Sequence, residues 1–196
     1  DAKLDASLSY QGKNFLDNGI GEVTLFRHID GDTIHVYQKE SSPRLVKVRF
    51  LGVDTPESTG RIEPWGKKAS AFTLSKVENA KTIVLTNVDY KIGNKAETDS
   101  TGTRFISYVW VSEKENCPVN ELNLLNLWIV QEGYSNAKGT DAKSKFADAF
   151  TDADLQAQKL KRGQWKGDDP DYYKGKPTVT TLKEINEAVK AGDFED

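Results

Sequence analysis

From residue 22 onward the chain alternates between two hydrophobic periods, and each change of period marks an element. Across 44–53, Val46, Val48 and Phe50 fall on one face of a strand, and Lys47, Arg49 and Leu51 on the other. Residues 22–27 and 33–37 are two further β-rich runs, divided by Ile29-Asp30-Gly31-Asp32, whose Asp-Gly step is a hairpin signal. These three runs predict a β-meander. Pro64 suits the first position of a helix, and beyond it Trp65, Ala69, Phe72 and Val77 recur at helical spacing up to Ala80. Strand character returns at 82–88 and at 104–111, the latter carrying Phe105, Tyr108 and Trp110, with a polar, glycine-bearing loop over 89–103. A second helix is expected from a cap at Asn120 through Leu122, Leu125, Trp128 and Ile129 to a stop at Gly133. A third covers 142–161, with Phe146, Ala149, Phe150, Ala153 and Leu160 on one stripe and Gly163 at its end.

The order β-β-β-α-β-β-α-α, with a helix inserted between the third and fourth strands, is the plan of an oligonucleotide-binding (OB) barrel. The expected fold class is therefore α+β, mainly β: a five-stranded OB-fold barrel with three helices. Residues 1–20 read as a polar, loosely held arm, 21–167 as the domain, and 168–196 as a linker and an appended C-terminal helix packed on it. The helix rests on the capping box Thr181-Leu-Lys-Glu184 and the narrow stripe Leu182, Ile185 and Val189.

Composition narrows the reading less than pattern does. The chain has 27 basic and 30 acidic side chains, a net charge of −3. Residues 168–196 carry −4 of that, which leaves the body near neutral at +1. Overall charge thus gives no electrostatic footprint for nucleic acid, and any such contact must come from a local site. No run of apolar residues is long enough for a membrane span, and the single Cys117, read as an inert loop thiol, excludes an internal disulfide and a cysteine-built zinc site. The lack of methionine reads as processing or trimming of the start, with loss of an export signal the expectation.

Most residues of chemical interest have an ordinary structural reading. His28 and His35 sit in strands without a cysteine pair nearby, and Trp65, Trp110, Trp128 and Trp165 fall at core spacings. The acidic turn Asp30-Gly31-Asp32 and the strand end Val53-Asp54-Thr55-Pro56-Glu57 are each unremarkable alone. Together they differ, because Asp32 begins the second strand and Asp54 follows the third, its antiparallel neighbour, so the two carboxylates converge. Two ionised carboxylates side by side need a cation or a cage of hydrogen bonds. A hard divalent ion such as calcium takes that all-oxygen set, completed by carbonyl and water. Thr55 precedes Pro56, which confines it to extended backbone and fixes the direction of its carbonyl. Glu57, across the same turn, is placed as a base or water-orienting group. Arg49, on the charged face of its strand, can fork a phosphate. The set suits hydrolysis of a phosphodiester.

These motifs resemble the staphylococcal nuclease-like (thermonuclease) family. The likeness lies in Ile29-Asp-Gly-Asp-Thr33 and Val48-Arg-Phe-Leu-Gly-Val-Asp-Thr-Pro-Glu57, and continues through Gly66-Lys-Lys-Ala-Ser-Ala-Phe72, Val77-Glu-Asn-Ala-Lys81, Val119-Asn-Glu121 and Gln131-Glu-Gly133. The resemblance implies an OB-fold, calcium-dependent endonuclease acting on DNA and RNA, preferably single-stranded, and leaving 3′-phosphates. It implies one calcium ion held by Asp32, Asp54 and the Thr55 carbonyl, with Glu57 activating water and Arg49 and Arg104 clamping the phosphate. A monomer, extracellular or at the cell surface, goes with it.

Two departures stand out. The family's Tyr-Gly-Arg before the fifth strand is here Thr101-Gly-Thr-Arg104, one residue longer and without the tyrosine. The paired tyrosines of the nucleotide pocket are absent from Gly133-Tyr-Ser-Asn-Ala137. Arg44 and Arg61 are the other arginines that chain order allows for the clamp, but Arg104 opens the fifth strand. A non-catalytic OB module is the rival reading, and the presence of Asp32, Arg49, Asp54, Glu57 and Arg104 together argues against it.

Overall fold

The meander forms because each strand has one apolar face to bury. The computed structural model describes residues 2–136 and 140–172. In it β1 (Ile20–Asp30), β2 (Thr33–Gln38) and β3 (Leu45–Phe50) pair antiparallel, with Gly31 and Asp32 as the first turn. Ile34, Val36, Val46, Val48 and Phe50 point into the core. β1 is longer than the 22–27 expected, since two register shifts along it let one strand serve two neighbours. Its first half pairs with β4 (Thr82–Thr86), which pairs in turn with β5 (Phe105–Ser112). β5 then runs parallel to β3, with Val48 opposite Phe105 and Arg49 opposite Ile106, and this closes the barrel. A two-residue strand, β6 (Asn123–Leu124), adds to the other side of β5. The fold is the α+β, mainly β, OB-like barrel that the element order predicts.

Helix boundaries differ for local reasons. The four-residue α1 (Phe15–Asn18), not predicted, is capped by the Asn14 side chain, which accepts the Asp17 N–H at 2.9 Å. α2 (Gly66–Asn79) starts two residues after Pro64, because Trp65 takes the left-handed conformation. α3 (Leu125–Gln131) starts five residues after Asn120, which lies in a 3₁₀ turn. α4 (Ala147–Lys159) is shorter than 142–161 at both ends. Phe146 and Phe150 cover Tyr108 and Trp110 of β5, with ring centroids 5.5–6.5 Å apart. Trp165, expected in the core, is 40% exposed.

Residues 2–19 are not the loose arm expected. Ala2, Leu4, Tyr10 and Phe15 are buried in the main core, at spacings that match no regular period. Tyr10 Oη donates to the Cys117 carbonyl at 2.7 Å. Residues 168–172 also dock: Asp169 accepts the Trp65 N–H and Tyr172 Oη donates to the Ile62 carbonyl, both at 2.9 Å. The capping box and stripe at 181–189 lie outside the described residues. Among the described residues no helix is long and apolar enough to cross a membrane.

Candidate active site

The meander register carries both acidic segments to one end of the barrel. Asp30 pairs with Thr33, and Thr33 with Arg49, so the β1–β2 turn lies beside the end of β3. A cleft of about 340 Å³ opens there, lined by Asp30, Asp32, Arg49, Asp54, Glu57 and Arg104 among others.

Asp32 is buried and held from three sides. Its Oδ2 accepts the Thr55 N–H at 3.0 Å, its Oδ1 accepts the Thr33 hydroxyl at 3.0 Å, and Arg49 Nη2 stands 3.3 Å from Oδ2. Asp54 is exposed, with Oδ1 3.4 Å from the same Nη2. Its main chain is fixed from behind: the N–H donates to Ser135 Oγ at 3.0 Å, and the carbonyl accepts the Asn136 N–H at 2.9 Å. The two carboxylates therefore converge on one guanidinium. Arg49 is itself steadied by Nη1, which donates to the carbonyls of Phe50 at 3.0 Å and Val53 at 2.7 Å. Gly31 permits the approach of turn to strand end, since a Cβ there would sit 2.6 Å from Thr55 Oγ1.

Glu57 has a fixed backbone and a perturbed carboxyl. Its N–H donates to Glu63 Oε1 and its carbonyl accepts the Glu63 N–H, both at 2.9 Å. Gly66 opens α2 against it, and a Cβ there would lie 2.0 Å from the Glu57 carbonyl oxygen. Partial burial first, then Asp30, Asp32 and Glu63, raise the Glu57 carboxyl above the ordinary glutamate range. In the sequence Asp30 reads only as part of a turn. It is buried, accepts the Ser58 hydroxyl and the Gly31 N–H, and lines the cleft beside Glu57. The doubled acid of Asp-Gly-Asp is its signal in the sequence; Ser135 and Asn136 carry none.

Arg104 lines the same cleft just ahead of β5, whose parallel pairing with β3 sets Ile106 opposite Arg49. Its Nε lies 2.8 Å from Asp99 Oδ2. The Thr101 hydroxyl, and then Arg104, hold the Asp99 carboxyl down to about 2. Of the other arginines, Arg44 pairs with Asp17 and Glu40 beyond the opposite end of β3, and Arg61 is on an exposed loop outside the cleft lining.

Comparison with known proteins decides the family. A family profile described as staphylococcal nuclease homologue matches residues 47–167. A thermonuclease of Staphylococcus hyicus is 33% identical over 144 residues, covering 72% of this chain and 73% of the relative. The chain belongs to the staphylococcal nuclease family. A thermonuclease of Staphylococcus intermedius is 29% identical over 143 residues, covering 71% and 73%. An uncharacterized protein of Methanocaldococcus jannaschii is 26% identical over 156 residues, covering 70% and 68%.

Within this nuclease family, the departures have local explanations. Before β5 the chain turns where the Gly102 N–H donates to the Asp99 carbonyl at 3.0 Å, with Gly102 at φ 74°. In the stretch without paired tyrosines, Tyr134 packs on Phe72 with centroids 5.7 Å apart, and Ser135 and Asn136 brace Asp54. Among the described residues no three His, Cys, Asp or Glu side chains gather into a metal cage. The donors available are the carboxylates of Asp32 and Asp54, main-chain oxygen, water and a buried Thr55 hydroxyl that lacks a hydrogen-bond partner. That is a hard-oxygen set, and its residues fit a calcium ion.

Proposed function

We propose that this chain is a calcium-dependent endonuclease that hydrolyses DNA and RNA, preferably single-stranded, to 3′-phosphate products. The observation that carries the proposal is the single cleft holding two converging carboxylates, a glutamate of raised pKa and two arginines. Asp32, Asp54 and the Thr55 carbonyl would hold one calcium ion, which supplies Lewis-acid stabilisation of the negative charge on the phosphate. The Glu57 carboxylate takes a proton from a water molecule as its oxygen bonds to phosphorus. The bond to the 5′-oxygen breaks, and that oxygen leaves as a hydroxyl after taking a proton from solvent. Glu57 lines the same cleft and is placed to accept that proton. Arg49 and Arg104 donate to the non-bridging oxygens, where charge accumulates in the transition state. Action as a monomer outside the cell is part of the same proposal. The test is release of acid-soluble nucleotide from denatured DNA, with calcium and then with a chelator. Release that needs calcium supports the proposal; none under either condition contradicts it.

A further inference from the structure

The residues just after Gly167, a linker by their sequence, reach back to the loop that carries Glu57. The Asp169 side chain is 4% exposed, and its Oδ2 accepts the Trp65 N–H at 2.9 Å. The Trp65 indole Nε1–H donates to the Gly167 carbonyl at 2.8 Å, and Tyr172 Oη donates to the Ile62 carbonyl at 2.9 Å. Lys68, in the first turn of α2, closes the arrangement. Its Nζ pairs with Asp169 Oδ1 at 2.9 Å and Asp171 Oδ2 at 3.0 Å, and lies 4.7 Å over the Trp65 ring. Residues 167–172 thus form a strap across the segment from Ile62 to Lys68.

The strap holds a strained piece of backbone. Trp65 has φ 70°, a left-handed conformation that a bulky residue keeps only where its surroundings impose it. In that conformation Gly66 packs against Glu57: a Cβ there would lie 2.0 Å from the Glu57 carbonyl oxygen and 2.7 Å from its carbon. The Gly66 N–H donates to the Glu63 carbonyl at 3.0 Å, and Glu63 in turn holds both main-chain groups of Glu57. On the cleft side, Thr55 is bonded to Asp32 and Ser58 to Asp30. Glu57 is therefore gripped from two directions, by the cleft acids and by the succession Asp169, Trp65 and Gly66. Loss of the second grip frees Trp65 to return to ordinary backbone, and Gly66 and Glu57 to move with it.

We infer that the strap positions the Glu57 carboxylate in the cleft, with Asp169 as the positioning residue that acts through Trp65 and Gly66. The inference rests on the nuclease proposal for the role of Glu57, and on the contacts above for the bracing. Neither Asp169 nor Trp65 lines the cleft. Its effect accordingly falls on turnover rather than on substrate binding, because a base held slightly out of place costs most in the transition state.

Kinetics of the full chain on denatured DNA with calcium read the positioning, at a temperature where each variant is folded by near-ultraviolet circular dichroism. Asp169→Ala should lower kcat about tenfold or more, toward the ~10²-fold cost of a 1 Å misplacement, with KM within about twofold of the parent. Asp169→Asn keeps an oxygen for the Trp65 N–H and should recover most of that loss. In Glu57→Gln the base is already gone, so adding Asp169→Ala should cost less than about twofold more. A merely structural Asp169 would lower turnover by the same factor in both backgrounds. Should Asp169→Ala not fold, Tyr172→Phe, which removes only the bond to Ile62, carries the same cycle. Hydrogen exchange by NMR gives a reading that needs no cleavage. The Glu57, Glu63 and Gly66 amides should exchange about tenfold faster or more in Asp169→Ala, while Gly102, in the turn before β5, keeps its rate. Unchanged exchange at Glu57 and Gly66, or equal losses in the two backgrounds, overturns the inference even if the parent cleaves DNA. A parent that releases no nucleotide with calcium overturns the nuclease proposal instead, and the exchange rates then support or refute the bracing of Glu57 on their own.

Discussion

The main-chain N–H of Thr55 donates to Asp32 Oδ2 at 3.0 Å, across 23 residues of sequence. This bond ties the hairpin turn to the segment after β3 and sets Asp32 and Asp54 within reach of one arginine. Asp32 is buried and Asp54 is exposed, so the same substitution should act differently at each. Asp32→Asn and Asp54→Asn should both weaken calcium binding in isothermal titration. Only Asp32→Asn should also cost about 1–3 kcal/mol of stability, because its carboxylate serves buried donors. Unchanged calcium affinity in both would move the metal site elsewhere.

The arginine clamp is the second test. Arg104→Lys keeps the charge but loses the planar fork, and should lower turnover on the order of 10²-fold, the scale of a lost transition-state donor. Arg61→Lys should leave steady-state kinetics near those of the parent. The reverse pattern would mean that the residue inserted before β5 has been assigned to the wrong place.

Much of this arrangement is legible in the sequence, and the rest is not for identifiable reasons. Alternation at 46–50 and the Asp-Gly step fix the meander, which brings the Asp32 turn beside the end of β3, and the Thr55 bond then draws Asp54 in. The 2–19 segment is not legible, because it is held by contacts with β6, through Lys3 and Asn123, and with the loop at Cys117 rather than by a period. The start of α2 is displaced by a left-handed Trp65, which propensity disfavours but the Asp169 carboxylate supports. Asp30 looks like turn chemistry in one dimension and becomes part of the cleft only when β1 and the Glu57 loop pack together.

The acidic segment after Gly167 docks on the surface of the domain as far as Tyr172. Asp169 Oδ2 accepts the Trp65 N–H at 2.9 Å, and Oδ1 pairs with Lys68 at 2.9 Å. Asp169→Ala should therefore lower stability in urea by about 1–3 kcal/mol, the cost of unsatisfied donors at a buried site. A chain ending after Tyr172 should keep its activity, whereas one ending after Gly167 should show the same loss of stability as Asp169→Ala. Equal stability of all forms would contradict this.

Tyr108 gives the barrel an alkaline limit. Burial pushes its phenol up to about 12, and its Oη lies 2.9 Å from Ser144 Oγ. The unfolded chain ionises near the ordinary tyrosine value of about 10, so it loses this proton first as pH rises. Stability from the buried neutral phenol is then full below about pH 10 and falls between about 10 and 12. Urea melts across that interval should show a shallower decline in Tyr108→Phe than in the parent. Parallel declines would assign the alkaline limit to another group.

Glu57→Gln tests the central claim most directly. The change keeps size and hydrogen bonding but removes the proton acceptor, and Glu57 is not assigned as a calcium ligand. Turnover on denatured DNA with saturating calcium should fall by about 10²–10⁴, the contribution of a positioned acid or base, while calcium affinity stays close to that of the parent. Turnover within about threefold of the parent, in a folded protein that still binds calcium, would contradict the assignment of Glu57 as the base.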